Sequence, residues 1–173
     1  MRRLARSVVV MLLAGVTLSL VPGDAFARKI GVGDSVMRGA TTELRARGFR
    51  VNTTVSRQFS EAPRLIRSLK RSGHLPRKIV IHLGNNGYID PADCRRAVRA
   101  AGGRRVFLVT LKVPRGWKAV NNRRLKTCAR RHGAEIIDWA EYAVGHSSWF
   151  ARDHYHLTAR GARKYARLIS RAT

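Results

Sequence analysis

Two short segments at opposite ends of the chain contain the residue types of a nucleophilic catalyst. Gly33–Ser35 reads Gly-Asp-Ser, and Asp153–His156 reads Asp-His-Tyr-His. A serine hydroxyl is a weak nucleophile at neutral pH until a base takes its proton, and that base is usually a histidine oriented by a carboxylate. Ser35 is therefore the candidate nucleophile, His156 the candidate base and Asp153 the group that orients it. This combination predicts a serine hydrolase or an acyltransferase.

Each of these residues also has a simpler interpretation. Ser35 or Asp34 could serve only as the N-cap of a helix that follows, and the C-terminal segment could be a surface loop. His154 is a rival base, but it directly follows Asp153 and would point elsewhere on an extended chain. Asp153, His154 and His156 are also chemically suited to bind a metal. Zinc, however, normally needs three or four fixed ligands with supporting hydrogen bonds, so we predict no metal site.

A turn rich in glycine and asparagine follows the most hydrophobic predicted strand. Gly84–Gly87 reads Gly-Asn-Asn-Gly and comes directly after Lys78–Leu83. A side-chain NH₂ in such a turn could point into a cleft and stabilise an oxyanion, an interaction worth roughly 3 kcal/mol. A plain turn is the alternative, because Asn and Gly both favour positive φ. His82, inside the strand, is expected to be a core histidine.

Strand and helix patterns alternate about five times along the chain. The predicted strands are Lys29–Gly33, Phe49–Val55, Lys78–Leu83, Arg105–Thr110 and Glu135–Asp138. The predicted helices are Val36–Arg47, Phe59–Arg71, Pro91–Ala101, Val120–Arg131 and a last helix that Thr158 caps and that runs to about Arg171. This alternation predicts a parallel sheet covered on both faces, with the carboxyl ends of the strands at one edge. The turns after the first four strands should then line one rim, namely Gly33–Ser35, Ser56–Gln58, Gly84–Gly87 and Leu111–Trp117.

The first 27 residues have the pattern of a secretory signal peptide. Arginines precede the mostly apolar run Val8–Val21, and Ala25–Ala27 is a small-x-small cleavage site. The apolar run is shorter than the roughly 20 residues that span a membrane comfortably. We expect cleavage near Ala27 and a secreted, extracytoplasmic domain at residues 28–173, with an uncleaved anchor as the alternative.

The cysteines fit this exported location. An even number of cysteines in an exported protein predicts a disulfide, here between Cys94 and Cys128 on helices of one layer. Two separate buried thiols are the alternative. Neither cysteine has the neighbours expected of a zinc site.

The chain is strongly basic, with a formal net charge of +25 over 173 residues. Such a charge attracts polyanions. Because export is predicted and no stripes of aromatic and basic residues that stack bases are present, we expect anionic polymers of the cell envelope as partners, and no nucleic acid. The alternative is that the basic surface is only solvated and binds no partner. We expect the protein to be a monomer.

The chain resembles the SGNH (GDSL-type) hydrolase superfamily over nearly all of residues 28–173, in the sequence of its motifs and in their order. The resemblance rests on Gly33–Ser35, on Gly84–Gly87 and on Asp153–Gly161, which ends in the usual His-Leu-Thr-x-x-Gly. Within the superfamily the chain is most similar to the extracytoplasmic SGNH domain of membrane acyltransferases that O-acetylate peptidoglycan. Two features point to that domain. The block at Gly84–Gly87, with the leucine before it, has the form Leu-Gly-x-Asn-Gly, and residues 114–117 read Pro-Arg-x-Trp and are followed by Asn121 or Asn122.

The resemblance implies a flavodoxin-like three-layer α/β/α sandwich with a five-stranded parallel sheet. It implies a triad of Ser35, His156 and Asp153, and an oxyanion hole formed by Asn86 and the backbone N–H of Ser35. The expected substrates are acyl esters, chiefly acetyl esters, of cell-wall glycans or other acylated carbohydrates, and no metal or organic cofactor is required. Further residues on the same loops are expected to contact the substrate: Asp34, Asn85, Arg115 and Trp117.

The sequence also departs from the family pattern. The segment Val55–Gln58 lacks the glycine that usually gives an N–H to the oxyanion hole, so a backbone N–H of Ser56 or Arg57 is expected to replace it. His154 stands where relatives often carry glycine. The membrane acyltransferase part does not appear in the sequence, so an acyl donor is expected from a membrane partner or a soluble molecule. The alternative functions are another secreted ester hydrolase, such as a lipase or thioesterase, and a non-catalytic basic module that binds polyanions or the cell wall.

Overall fold

The structure, a computed structural model, describes residues 28–173. The predicted signal peptide and its cleavage site lie outside the described residues. Within residues 28–173, every helix is too short or too polar to span a bilayer.

A five-stranded parallel sheet with the order β2-β1-β3-β4-β5 forms the centre of the fold. Its strands are β1 (Lys29–Gly33), β2 (Phe49–Thr53), β3 (Lys78–His82), β4 (Arg105–Val109) and β5 (Glu135–Ile137). The chain moves from β1 to one side for β2 and then crosses to the other side for β3. The carboxyl ends of β1 and β3 therefore lie side by side, with Gly33 opposite His82, at the switch point where open α/β sheets bind ligands.

Helices cover both faces of the sheet, which confirms the predicted three-layer sandwich. They are α1 (Ser35–Arg38), α2 (Thr41–Arg45), α3 (Ala62–Arg71), α4 (Pro91–Ala101), α5 (Lys118–His132), α6 (Trp139–Tyr142) and α7 (Ala159–Ala172), with 3₁₀ turns at Phe59–Glu61 and Ser147–Trp149. Neighbouring residues of a strand point to opposite faces. Ile79 and Ile81 thus pack with α3, α4 and α5, whereas Val80 packs with α2, α6 and α7.

Several element boundaries differ from the sequence prediction. The helix predicted over 36–47 is two short helices, because the N–H of Ala40 turns back to the carbonyl of Met37 and Ala40 leaves helical geometry at φ −107°. The helix predicted from Phe59 begins as a 3₁₀ turn, where Gln58 and Glu61 form a reciprocal cap. Helix α6 and the 3₁₀ turn at Ser147–Trp149 were not predicted.

The disulfide prediction is confirmed. Cys94 on α4 and Cys128 on α5 are bonded to each other, and both lie in the core on one side of the sheet. The bond closes a loop with a sequence separation of 34 residues. A cross-link of that span stabilises a small domain by about 4 kcal/mol, mainly by restricting the unfolded chain.

The start of α7 packs directly on the backbone of the segment before it. Thr158 caps the helix, since its Oγ1 accepts a hydrogen bond from the N–H of Gly161, and its own N–H donates to the carbonyl of Trp149. A Cβ added at Gly161 would lie 1.9 Å from that Trp149 oxygen. Only glycine lets α7 approach this closely.

Substitution of this glycine tests the close approach. Gly161→Ala is expected to lower the free energy of unfolding by about 1–3 kcal/mol, because backbone atoms must move to make room. The measurement is urea unfolding followed by circular dichroism. Gly116→Ala is the matched control, since no heavy atom lies within 4 Å of its added Cβ. Equal unfolding midpoints for the two variants would contradict the packing argument.

Candidate active site

Ser35 lies where the first strand of the sheet passes into a helix. β1 ends at Gly33, Asp34 is the N-cap residue, and Ser35 is the first residue of α1. Asp34 caps the helix through its Oδ1, which accepts a hydrogen bond of 3.0 Å from the N–H of Val36. The Ser35 side chain is half-buried at the carboxyl edge of the sheet.

A line of hydrogen bonds joins Ser35 to the C-terminal segment. His156 Nε2 is 2.9 Å from Ser35 Oγ, and His156 Nδ1 is 2.6 Å from Asp153 Oδ2. The other oxygen of Asp153 accepts hydrogen bonds from the N–H groups of Tyr155 (3.1 Å) and His156 (3.0 Å), which fixes the turn. The sequence-predicted nucleophile, base and orienting carboxylate are therefore brought together in one site.

The charge state of Asp153 suits a group that orients a histidine. Desolvation raises the pKa of Asp153, but the hydrogen bonds from His156 and from the N–H groups of Tyr155 and His156 outweigh it, so the pKa lies below its ordinary value. The ionised carboxylate favours a proton on Nδ1 of His156. Nε2 is then free to accept the hydroxyl proton of Ser35.

A buried carboxylate ties the loop after β1 to the loop after β3. The side chain of Asp34 is fully buried, and its Oδ2 accepts hydrogen bonds from Nδ2 of Asn85 (3.0 Å) and Nδ2 of Asn86 (3.3 Å). Burial raises the pKa of Asp34, and the hydrogen bonds from Asn85 and Val36 oppose this shift. The Asn85 side chain is also buried, with 3% of the residue exposed.

Comparison with known proteins finds chains of similar sequence and domains of similar fold. No family model matches the chain. YrhL of Bacillus subtilis, a peptidoglycan O-acetyltransferase by provisional assignment, is 30% identical in an alignment over 154 residues that covers 87% of this chain and 24% of YrhL. The C-terminal catalytic domain of Streptococcus pneumoniae peptidoglycan O-acetyltransferase A (OatA) superposes with a TM-score of 0.68 at 24% identity, covering 83% of this chain and 90% of that domain. A lipolytic G-D-S-L family protein of Veillonella parvula superposes with a TM-score of 0.61 at 18% identity, covering 81% of this chain and 94% of that one.

The chain has the fold of the SGNH (GDSL-type) hydrolase domains, as the sequence predicts. It spans about a quarter of the length of the curated relatives it matches. The predicted enzyme class, an SGNH-type serine hydrolase or acyltransferase that acts on ester bonds, agrees with these relatives.

The loop after β2, where the resemblance predicts a glycine, contains a serine whose backbone conformation is one that glycine favours. Ser56 has φ of 60°, a left-handed conformation that few residues other than glycine adopt. The predicted donor Arg57 uses its N–H in a long hydrogen bond of 3.4 Å to the carbonyl of Thr54. Its carbonyl accepts a hydrogen bond, also 3.4 Å long, from Nδ2 of Asn86. This loop thus meets the loop after β3, Gly84–Gly87, which we call the asparagine loop, at the predicted rim.

The guanidinium of Arg57 has a structural function that the sequence did not reveal. Arg57 is buried, and its NH1 and NH2 donate to the carbonyl of Gly33 (3.3 Å), to the carbonyl and Oδ1 of Asn52 (2.8 and 2.9 Å) and to Oγ1 of Thr54 (2.7 Å). It braces the end of β1, directly before the nucleophile, against β2. An arginine after a strand is an ordinary surface pattern, so no local signal distinguished it.

The loop after β4 reaches the same rim through Trp117. Its Nε1 donates to the carbonyl of Gly84 at 3.1 Å, and its ring lies beside that of the exposed Tyr88. Asn121, to which the sequence assigned no catalytic or binding role, is fully buried and donates to the carbonyls of Gly84 (3.0 Å) and Gly87 (2.8 Å). Arg115 is exposed.

Two of the predicted substrate contacts lie in the interior. The side chains of Asp34 and Asn85 are buried and hydrogen-bonded to each other, so they hold the loops after β1 and β3 together. Their contact with a substrate stays a prediction. Arg115 and the half-buried Trp117 lie nearer the surface and keep their predicted role as a hypothesis.

The two remaining histidines of interest have different environments. His154, the rival base, lines a cavity with Lys112, whereas the histidine that is hydrogen-bonded to Ser35 is His156. His82 is fully buried, which confirms that it is a core histidine. Its Nδ1 lies 2.8 Å from the hydroxyl of Tyr165, but its Nε2 has no hydrogen-bond partner among the described residues.

The role of Asp34 can be tested by a substitution that keeps its size. Asp34→Asn places an NH₂ group among N–H donors, so the asparagine loop should shift. We expect kcat/KM for a chromogenic acetate ester to fall roughly 10- to 100-fold and the free energy of unfolding to fall by about 1–3 kcal/mol. Asp90→Asn is the matched control, because Asp90 caps α4 by the same type of hydrogen bond on the exposed surface. An Asp34→Asn enzyme as active as the control would refute the positioning role.

The burial of His82 predicts a pH-dependent stability. Burial lowers the pKa of His82 from 6.5 to about 3. Between pH 6.5 and about 3, the imidazole is therefore protonated in the unfolded chain but not in the folded protein. The contribution of His82 to the free energy of unfolding is complete above about pH 6.5 and is lost as the pH falls toward about 3. Between pH 7 and 4.5, the wild type should lose about 2–3 kcal/mol more than His82→Gln in urea unfolding. The exposed His74→Gln should behave as the wild type, and parallel pH profiles for wild type and His82→Gln would count against the account.

Proposed function

We propose that the protein cleaves or transfers acetyl esters of cell-wall glycans through a triad of Ser35, His156 and Asp153. The observation that carries this proposal is the line of hydrogen bonds from Ser35 Oγ through the imidazole of His156 to the Asp153 carboxylate, 2.9 and 2.6 Å in length. The choice of an acetyl group and of a cell-wall glycan as substrate is supported by the relatives that are peptidoglycan O-acetyltransferases.

The chemistry follows from these positions. His156 Nε2 takes the hydroxyl proton while Ser35 Oγ attacks the ester carbonyl carbon, and a tetrahedral oxyanion forms. Asp153 stabilises the imidazolium. When the C–O bond to the leaving alcohol breaks, His156 gives the proton to that alcohol and an acetyl-serine remains. Water or a sugar hydroxyl then gives its proton to His156 and attacks the acetyl carbonyl carbon, and His156 returns that proton to Ser35 Oγ as the bond between the acetyl group and the serine breaks.

Three donors are proposed for the oxyanion in this scheme. The backbone N–H of Ser35 lies at the start of α1, and Nδ2 of Asn86 lies on the neighbouring loop. The hydrogen bonds of Asn86 Nδ2 to Asp34 (3.3 Å) and to the Arg57 carbonyl (3.4 Å) are long. Donation from Asn86 to an oxyanion therefore requires little loss of existing bonding. The Arg57 N–H, whose bond to Thr54 is equally long, is the third proposed donor.

The exposure of the site favours a polymeric substrate. The side chains of His156 and Asp153 are 36% and 42% exposed, so the reacting groups lie at the surface rather than in a closed pocket. A glycan chain can pass over such a site. For a domain exported to the cell wall, as proposed, the net charge of +25 attracts the anionic polymers there. The acyl donor is proposed to be a membrane partner or a soluble ester.

The nucleophile can be tested by removing its hydroxyl. Ser35→Ala should lower kcat on a chromogenic acetate ester by about 10³-fold or more, because the acetyl-serine can no longer form. Ser60→Ala, an exposed serine on the 3₁₀ turn before α3, should match the wild type. Equal rates for wild type and Ser35→Ala would remove the catalytic proposal and leave the wall-binding alternative.

The substrate class is tested with the wild type. Acetyl release from O-acetylated peptidoglycan should exceed release of longer acyl groups from comparable esters. Faster cleavage of the longer chains would instead favour a lipase or thioesterase.

A further inference from the structure

The asparagine loop and the two residues after it take their hydrogen bonds from side chains. Within the described part of the chain, the backbone groups of residues 84–89 make no hydrogen bond to other backbone groups, and each bond that they form is to a side chain. Buried backbone groups need partners. The side chains that supply these partners therefore determine the conformation of the loop and the direction of its asparagines.

One buried side chain on α5 holds this loop at both ends. Nδ2 of Asn121 donates to the carbonyl of Gly84 at 3.0 Å and to the carbonyl of Gly87 at 2.8 Å. Its Oδ1 accepts a hydrogen bond of 2.9 Å from the N–H of Ile89. The two carbonyls belong to the residues immediately before and after the asparagine pair. A single NH₂ group thus sets the distance between the two ends of the loop.

The amide group of Asn121 matches its partners atom for atom. An asparagine side chain carries two N–H donors on its nitrogen and an acceptor on its oxygen, and the loop presents two carbonyls to the nitrogen and one N–H to the oxygen. Asn121 is fully buried. Removal of its amide would leave three backbone groups without a partner, which costs more than the net value of the lost hydrogen bonds.

The loop that Asn121 holds leads directly to the nucleophile turn. The side chains of Asn85 and Asn86 donate to Oδ2 of Asp34, the residue before Ser35. The bond from Asn86 is long, at 3.3 Å, and its second bond, to the carbonyl of Arg57, is 3.4 Å. These bonds alone do not fix the direction of the Asn86 side chain, which therefore depends on the backbone that carries it.

We propose that Asn121 is a positioning residue for the oxyanion hole. By holding the carbonyls of Gly84 and Gly87, it fixes where Nδ2 of Asn86 donates. The inference rests on the proposed function, in which Asn86 donates to the oxyanion. A donor stabilises the oxyanion only within hydrogen-bond reach of the developing charge, and a displacement of about 1 Å can lower a rate roughly 100-fold.

A double-mutant cycle tests whether Asn121 acts through Asn86. On a chromogenic acetate ester, Asn86→Ala should lower kcat/KM about 100-fold or more, and Asn121→Ala should lower it about tenfold. The double variant should be as active as Asn86→Ala alone, within about twofold, whereas independent structural damage would multiply to about 1000-fold.

The matched control removes two hydrogen bonds from another fully buried group. The hydroxyl of Thr110 donates to Asp138 and accepts from the N–H of Ala140, neither of which belongs to the asparagine loop. Thr110→Val keeps the size of the side chain and should keep the wild-type kcat/KM. A loss of activity in Asn121→Ala but not in this control is therefore specific to the loop.

The position of Asn86 is measured separately from activity. The NMR resonances of its side-chain NH₂, assigned by their absence in Asn86→Ala, should shift in Asn121→Ala and stay in place in Thr110→Val. This measurement does not depend on whether Ser35 is the nucleophile. An active Ser35→Ala enzyme would refute the proposed function, whereas the resonances report on the loop itself.

A second variant covers a failure to fold. If circular dichroism shows that Asn121→Ala is unfolded, Asn121→Ser takes its place in both measurements, because its hydroxyl can still donate to one carbonyl. The proposal is overturned if the Asn86 resonances do not move, if the variant at 121 is as active as the wild type, or if it lowers kcat/KM as much in the Asn86→Ala background as in the wild type.

Discussion

The site depends on the hydrogen bonds of one buried carboxylate, that of Asp34, which directly precedes Ser35 in the chain. It accepts one hydrogen bond from the helix that begins with Ser35 and two from the asparagine loop. A buried carboxylate is costly unless several donors satisfy it. Its donors come from segments about 50 residues apart, so the loops after β1 and β3 cannot separate without leaving the charge unsatisfied.

A second set of contacts brings in the base from the far end of the chain. The turn at 153–156 is organised by its own carboxylate, since one oxygen of Asp153 accepts two backbone N–H bonds and the other accepts Nδ1 of His156. Gly161 lets α7 pack on the carbonyl of Trp149 just beyond this turn. The support is thus buried and the reacting groups are exposed, an arrangement that suits a polymeric substrate.

Much of this arrangement is readable from the sequence, because it depends on local patterns. The five strands, the nucleophile turn and the Asp-x-x-His turn are each encoded within a few residues. The guanidinium of Arg57, the burial of Asp34 and the role of Asn121 depend instead on partners from distant segments, which a pattern along the chain does not reveal. The break at Ala40 was missed for the same reason, since amphipathic periodicity continues across it although the hydrogen-bonding pattern does not.

The most direct test of the central claim is covalent trapping by a sulfonyl fluoride, followed by peptide mapping with mass spectrometry. If His156 activates Ser35, the sulfonyl group should be found on the peptide that contains Ser35, and its rate of attachment should fall sharply in His156→Ala. Labelling of another residue, or a rate that does not depend on His156, would contradict the account.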